Sequence, residues 1–314
     1  MKKIGYVCTT GPSLNNIEKI NGLFELGLTT VRFNMSYREK CMIDELVPEI
    51  EKSKYDIKTM VDLCGPEIRI DIEEPINIVK GNVYIVGKDI KIKSGNLDIL
   101  NVNDIIIFGD GEISFKIIEK KDYLKCISLN NGILKRNKKI TNENLCKTIP
   151  FLSEVDIKDI ENAIELNADY LCVSFVNNVE DIKKVKAITN NRIKIIAKIE
   201  TVEGVNNLEK ILPEVDGVMI GRGDLAVRYP YYMLGKIQKK ISLIVKNSNK
   251  KLIVGTGFLS SMKDNEIPTR AEVNDFYNTV LDGADEIMFS GETASSNSPE
   301  DVLNFANKIV ETIE

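Results

Sequence analysis

The chain has 314 residues, 43% of them hydrophobic, and a formal charge of −5, which supplies apolar material for a large core and has the wrong sign for nucleic acid or an anionic membrane as main partner. It contains no histidine, so Ser-His and Cys-His triads, histidine metal sites and an imidazole base are excluded, leaving carboxylates, lysine, arginine, hydroxyls and metal ions to carry any chemistry. Apolar runs such as DIIIFG and IKIIAKI fall far below membrane-spanning length, no charged-then-apolar leader precedes Ile4, and the six cysteines (Cys8, Cys41, Cys64, Cys126, Cys146, Cys172) form no close pair; the expectation is a cytoplasmic protein with reduced thiols and small-molecule ligands.

Along the chain, short apolar strands alternate with amphipathic helices. IGYVCTT (4–10) predicts a strand, followed by a helix that Ser13 would cap, with Ile17, Ile20 and Phe24 inward and Gly27 as its stop. TTVRFNMS (29–36) precedes a helix at 38–53, and IKTMVDLCG (57–65) supplies a third strand. Residues 68–148 break this rhythm, being rich in Ile, Val, Tyr and Lys, with turn signals VKGN, VGKD, KSGN, FGDG and LNNG and no convincing helix. They read as a small β domain inserted after the third strand, where it would project over the barrel mouth as a lid.

The alternation then resumes with helix 154–166, strand DYLCVSF, helix 179–188, strand IKIIAKIE and helix 203–212. Strand GVMIGRG, helix 231–247, strand KLIVGTG, helix 269–282, strand EIMFSGE and helix 299–313 complete the series. Eight βα repeats predict an α/β fold of the (β/α)8 TIM-barrel type, built from 1–67 and 149–314 with the β lid domain at 68–148; a doubly wound sheet would usually stop at fewer strands and carry a glycine-rich first turn.

Strand alternation places chemistry at the barrel mouth. Lys198 and Glu200 share one face of their strand, as do Arg32, Asn34 and Ser36 of theirs, and Asp62, Asp224, Thr256 and Ser290 end or follow other strands. Burying so many polar groups without partners would cost several kcal/mol each, so they pair with one another or with ligands.

At these residues the sequence resembles the pyruvate kinase family. The resembling stretches, in the family's order, are CTTGPS (8–13), VRFNMS (31–36), VDLCGPEIR (61–69), FGDGEIS (108–114), VSFV (173–176), AKIETVEGVNNLEKIL (197–212), GVMIGRGDLAV (217–227), PTRAEVNDF (268–276) and LDGADEIMFSGETA (281–294). The resemblance implies phosphoryl transfer between phosphoenolpyruvate and ADP, giving pyruvate and ATP. It implies Mg²⁺ (or Mn²⁺) held by Glu200 and Asp224, and K⁺ held by Asn34, Ser36, Asp62 and the carbonyl of Leu63, with Glu67 the residue type of K⁺-requiring members. Lys198 would neutralise the phosphoryl group in flight, and Arg32 would bind a phosphate. The amides of Gly223 and Asp224, with Ser174, would contact the substrate. Arg32, Arg69 and Asn34 would face the nucleotide, and Thr256 and Ser290 would handle the proton that turns enolate into ketone. The resemblance further implies a shortened lid, a missing C-terminal domain after Glu314, and a homodimer through barrel surfaces or a monomer.

The departures fall mostly on the nucleotide side. Leu63 and Cys64 replace a threonine and a lysine, Tyr37 a histidine, Val155 a lysine and Asn177 an arginine, and Gly255-Thr256-Gly257-Phe258-Leu259-Ser260 stands for the usual ATQMLES. Three functions stay open: a pyruvate kinase, a metal-dependent enolate enzyme acting on a pyruvate-like 2-oxo acid without ADP, and a non-catalytic ligand sensor. Intact Lys198, Glu200, Asp224 and Thr256 count against the third. Arg222-Gly223-Asp224 as an adhesion triplet and Asn34-Met35-Ser36 as a glycosylation acceptor are discounted in a chain read as cytoplasmic, and Lys135 to Lys139 reads as a solvated face.

Overall fold

The computed structural model describes residues 4–38 and 42–313. Eight strands, β1 (Gly5–Thr9), β2 (Leu28–Asn34), β3 (Lys58–Asp62), β4 (Tyr170–Val173), β5 (Lys194–Ile199), β6 (Gly217–Gly221), β7 (Lys251–Gly255) and β8 (Glu286–Phe289), close into one barrel. Every neighbouring pair is parallel, as strands joined through helices require.

The register decides which side chains face inward. Val7, Met60, Tyr170, Cys172, Ile196, Met219, Ile253 and Met288 form one buried cluster inside the barrel. β2 contributes none of them: Thr30 pairs with Val7 and Arg32 with Met60, so its inward positions are polar. By the same period of two, Lys198 lies inward beyond Ile196, and Asp62 inward beside Cys172.

The helices follow the sequence closely, with instructive exceptions. The first, Ile17–Glu25, is capped by Asn16, whose side chain accepts from the Lys19 amide. Ser13 is not the cap; its hydroxyl donates instead to the Ser296 carbonyl at 2.5 Å. Gly27 ends that helix with φ +101°, a conformation open to glycine. The second described helix is Ile43–Glu51; Cys41 and the beginning of the helix expected at 38–53 lie outside the described residues. The single helix expected at 203–212 is two short ones, Val202–Asn206 and Leu208–Ile211, parted at Asn207 (φ −99°, ψ 5°). Helix 231–247 is regular from Leu234, after a 3₁₀ turn at Tyr231–Met233. The strand GVMIGRG ends at Gly221, and Arg222 already begins the helix Arg222–Arg228.

A second compact unit comprises Gly65–Ser153 together with Ala226–Tyr231. It holds a seven-stranded antiparallel sheet and a two-stranded one around its own core, in which Phe108 and Phe115 meet edge to face at 5.0 Å. It is not wholly free of helix, since Asn142 caps a short helix, Glu143–Cys146, and Leu97–Ile99 forms a 3₁₀ turn. Among the described residues, no helix is long and apolar enough to cross a membrane.

Candidate active site

The inward polar residues of β2, β3 and β5 meet in one buried network. Asp62, fully buried at the end of β3, accepts from Arg32 Nε at 2.6 Å and from Lys198 Nζ at 3.2 Å. Arg32 Nη1 also donates to Thr9 Oγ1 at 3.0 Å, and Thr9 in turn donates to the Phe289 carbonyl at 2.7 Å. Lys198 Nζ donates to Ser174 Oγ at 3.0 Å and lies 3.4 Å from Glu200 Oε1. Ser174 Oγ in turn donates to the Leu63 carbonyl at 2.7 Å.

The electrostatics follow from this geometry. Burial works against ionising Asp62, but Arg32 and Lys198, by field and by hydrogen bond, overcome it and hold the carboxyl below the usual carboxylate range. Burial likewise pulls Lys198 down, and the charges of Asp62 and Glu200 push it above the usual lysine range. Both groups are therefore ionised at neutral pH. Cys172 between them stays a thiol, its pKa driven far up by burial and further by Asp62.

Glu200 follows β5 and is buried, with Oε2 accepting from the Phe175 amide at 3.0 Å. Phe175 has φ +57°, which turns that amide toward the carboxylate. A Cβ on Gly221, at the end of the adjacent β6, would stand 2.5 Å from Glu200 Cγ and Oε1, so only glycine leaves room for this acid. Asp224, half-buried, is the third residue of the helix that follows β6, and Gly223 precedes it. Among the described residues no three acidic or cysteine side chains gather as a ready-made metal cage. Glu200, with Asp224 in the helix that follows the neighbouring strand, offers carboxylate oxygens of the kind Mg²⁺ takes, water and substrate oxygens supplying its other ligands.

The remaining sequence-derived candidates are placed as follows. Asn34 ends β2 opposite Asp62, and its Oδ1 accepts from the Ser36 amide at 3.2 Å. Ser36 therefore leaves the strand for a 3₁₀ turn (Met35–Tyr37), and the alternation that put it on the face of Arg32 and Asn34 stops at Asn34. Thr256 follows β7 with φ +77°. Ser290 follows β8; its amide donates to Glu292 Oε2 at 2.7 Å and its hydroxyl to Met288 Sδ at 3.2 Å. Arg69 belongs to the second unit, where it pairs with Glu67 at 2.5 Å and donates to the Asn137 carbonyl at 2.9 Å.

Sequence reasoning missed Thr9, which strand alternation from Val7 could have found. It also missed Glu292, whose Oε1 accepts from Ser260 at 2.5 Å and ties the loops after β7 and β8 together. That acid lies within the resembling stretch 281–294, where it could have been singled out.

A family model described as the pyruvate kinase barrel domain matches residues 1–303. Pyruvate kinases of Methanocaldococcus jannaschii, Dictyostelium discoideum and Bacillus licheniformis are 34%, 35% and 32% identical to it over 100%, 98% and 100% of the chain. The chain spans 70%, 66% and 57% of the lengths of those relatives, respectively.

Proposed function

Because the chain belongs to the pyruvate kinase family, we propose that it transfers a phosphoryl group between phosphoenolpyruvate and ADP, forming pyruvate and ATP, with Mg²⁺ or Mn²⁺ and K⁺, as a cytoplasmic glycolytic enzyme. The observation that carries this reading is Lys198, a charged ammonium 14% exposed, whose Nζ is fixed from three sides by Ser174, Asp62 and Glu200. A preorganised cation of this kind stabilises charge developing on a phosphoryl group without reorganising.

The other roles are those the family resemblance implies for these residues. Arg32, braced by Asp62 and Thr9, presents a guanidinium to a phosphate. Glu200 and Asp224 would hold the divalent ion, which when bound would neutralise phosphoryl oxygens. Amides of Gly223 and Asp224, with Ser174, orient the substrate, and Asn34, Ser36, Asp62 and the Leu63 carbonyl would hold K⁺. Thr256 and Ser290 are the hydroxyls that handle the enolate proton. Arg32 and Asn34 serve the nucleotide, and Arg69 is the residue of the second unit for which the resemblance implies the same role.

One observation favours a second reading, an enolate enzyme that does not use ADP. Where the family has a histidine and two lysines, Tyr37 and Val155 are each 57% exposed and Cys64 is half-buried, so cations that would grip a diphosphate are replaced by neutral groups. Enolisation of pyruvate needs the metal, Lys198 and a proton-handling group, but not those cations.

The test is to follow exchange of the pyruvate methyl protons with deuterium, in Mg²⁺, K⁺ and a phosphate-like anion, beside ATP formation from phosphoenolpyruvate. The expected result is measurable exchange together with a KM for ADP above the roughly millimolar top of the usual range. Saturation by micromolar ADP at ordinary kinase speed discards the second reading. Phosphoenolpyruvate binding with neither exchange nor ATP formation overturns both.

A further inference from the structure

Thr256 has φ +77°, a backbone region that a β-branched residue occupies only when its surroundings impose it. Gly257 (φ +82°), where glycine carries no penalty, and Leu259 (φ +53°) keep the loop after β7 in the left-handed region. One side chain grips this backbone. Arg222 is 8% exposed, and its Nε and Nη2 both donate to the Thr256 carbonyl, at 2.8 and 2.5 Å.

That fork is itself fixed on every side. Arg222 Nη1 donates to both carboxylate oxygens of Asp275, at 2.9 and 2.7 Å, and lies 3.4 Å from Gln238 Oε1. Gln238 is oriented by its own bond to Thr279 Oγ1 at 3.0 Å. The guanidinium carbon stands 3.8 Å from the centre of the Phe258 ring. Two barrel helices, Leu234–Asn247 and Arg270–Leu281, thus hold one planar cation, and the cation holds one carbonyl. A lysine, with a point charge in place of a fork, could not reproduce this grip.

We propose that Arg222 is a positioning residue for the proton-handling step: it touches no reacting group, but by pinning the Thr256 carbonyl it fixes the left-handed backbone from which the Thr256 hydroxyl is aimed. This rests on the reading of Thr256 given above. Because Arg222 also immediately precedes Gly223 and Asp224, the same residue fastens the loop after β7 to the start of the helix that carries the proposed metal ligand Asp224. Pairing with Asp275 uses only Nη1, while the other two donors, Nε and Nη2, go to the Thr256 carbonyl.

The experiment compares the parent protein, Arg222→Lys, Thr256→Val and the double variant. Pyruvate methyl-proton exchange in Arg222→Lys is expected to fall about 10- to 100-fold in rate constant, with the KM for pyruvate little changed, as for loss of alignment rather than of binding. Because Arg222 acts through Thr256, the double variant should be no slower than Thr256→Val alone, whereas independent roles would multiply their losses. A crystal structure of Arg222→Lys should show Thr256 out of the left-handed region. Multiplying losses, an exchange rate untouched by Arg222→Lys, or a Thr256 φ that stays near its present value overturns the proposal. If the parent protein shows no exchange at all, the functional reading fails, and the crystallographic comparison still decides whether Arg222 sets the Thr256 backbone. Should Arg222→Lys not fold, Arg222→Gln carries the same two measurements, since an uncharged, shorter side chain cannot make both bonds to the Thr256 carbonyl.

Discussion

Replacing Asp62 with asparagine keeps the shape of the barrel interior and removes one charge on which two cations depend. Breaking a buried ion pair from one side costs about 3–5 kcal/mol, because the remaining charge stays buried. Here Arg32 keeps Thr9, and Lys198 keeps Ser174 and Glu200, so the lower end, about 3 kcal/mol, is the expected loss. Against a total stability of about 5–15 kcal/mol this is large, and for a domain of this size it lowers the melting temperature by roughly 6–12 °C. Calorimetry at pH 7 reads it directly. The pH dependence supplies a second check with a definite sign. The folded pKa of Asp62 is depressed, so its contribution is present above the unfolded value, about 3.9, and is lost as pH falls through the folded value. Parent and variant should therefore differ fully at pH 5 to 7 and converge only in acid below about pH 4. A melting temperature within about 2 °C of the parent at pH 7, or a difference that does not shrink in acid, would refute the view that this carboxylate balances the two cations.

Two further substitutions probe the seat of Glu200. Glu200→Gln should weaken Mn²⁺ binding about tenfold or more, read by titration, and an unchanged curve removes Glu200 from the metal site. Gly221→Ala puts a methyl 2.5 Å from Glu200 Cγ and Oε1. It is expected to cost about 1–3 kcal/mol in stability and to weaken Mn²⁺ binding as well; lower stability with unaltered Mn²⁺ affinity would show that this glycine serves packing alone.

What was legible in the sequence was what repeats with a short period. The strands, and the pairing of Lys198 with Glu200, follow from alternation, and the register places Lys198 inward as that alternation requires. Alternation misled only where a side chain captured the local backbone, as when Asn34 took the Ser36 amide and turned the chain out of β2. Ser13 and Asn16 are both competent caps, and the choice between them was made by a carbonyl 283 residues away, at Ser296, that claims the serine. At Asn207, where the helical pattern breaks, the side-chain amide donates to the Asn177 carbonyl at 2.8 Å, a partner 30 positions away. Arg222 and Glu292 read as ordinary charged residues, since their partners Asp275 and Ser260 are 53 and 32 positions distant and become neighbours only when the barrel closes.

The buried network also bears on how an anion would arrive. Arg32 and Lys198 stand against Asp62 and Glu200, two positive charges against two negative, all within a few ångströms. Before any cation binds, a set so balanced projects little field, and at long range the chain's charge of −5 is what a solute meets. A multiply charged anion is then not drawn in from afar but must diffuse against weak repulsion until it comes within a Debye length, about 8 Å at physiological ionic strength. Added salt relaxes that repulsion and speeds encounter, the reverse of the behaviour of an electrostatically steered site. A divalent ion and K⁺ held at this site would add three positive charges and reverse that sign, so the salt dependence of anion encounter separates the cation-free protein from the loaded one.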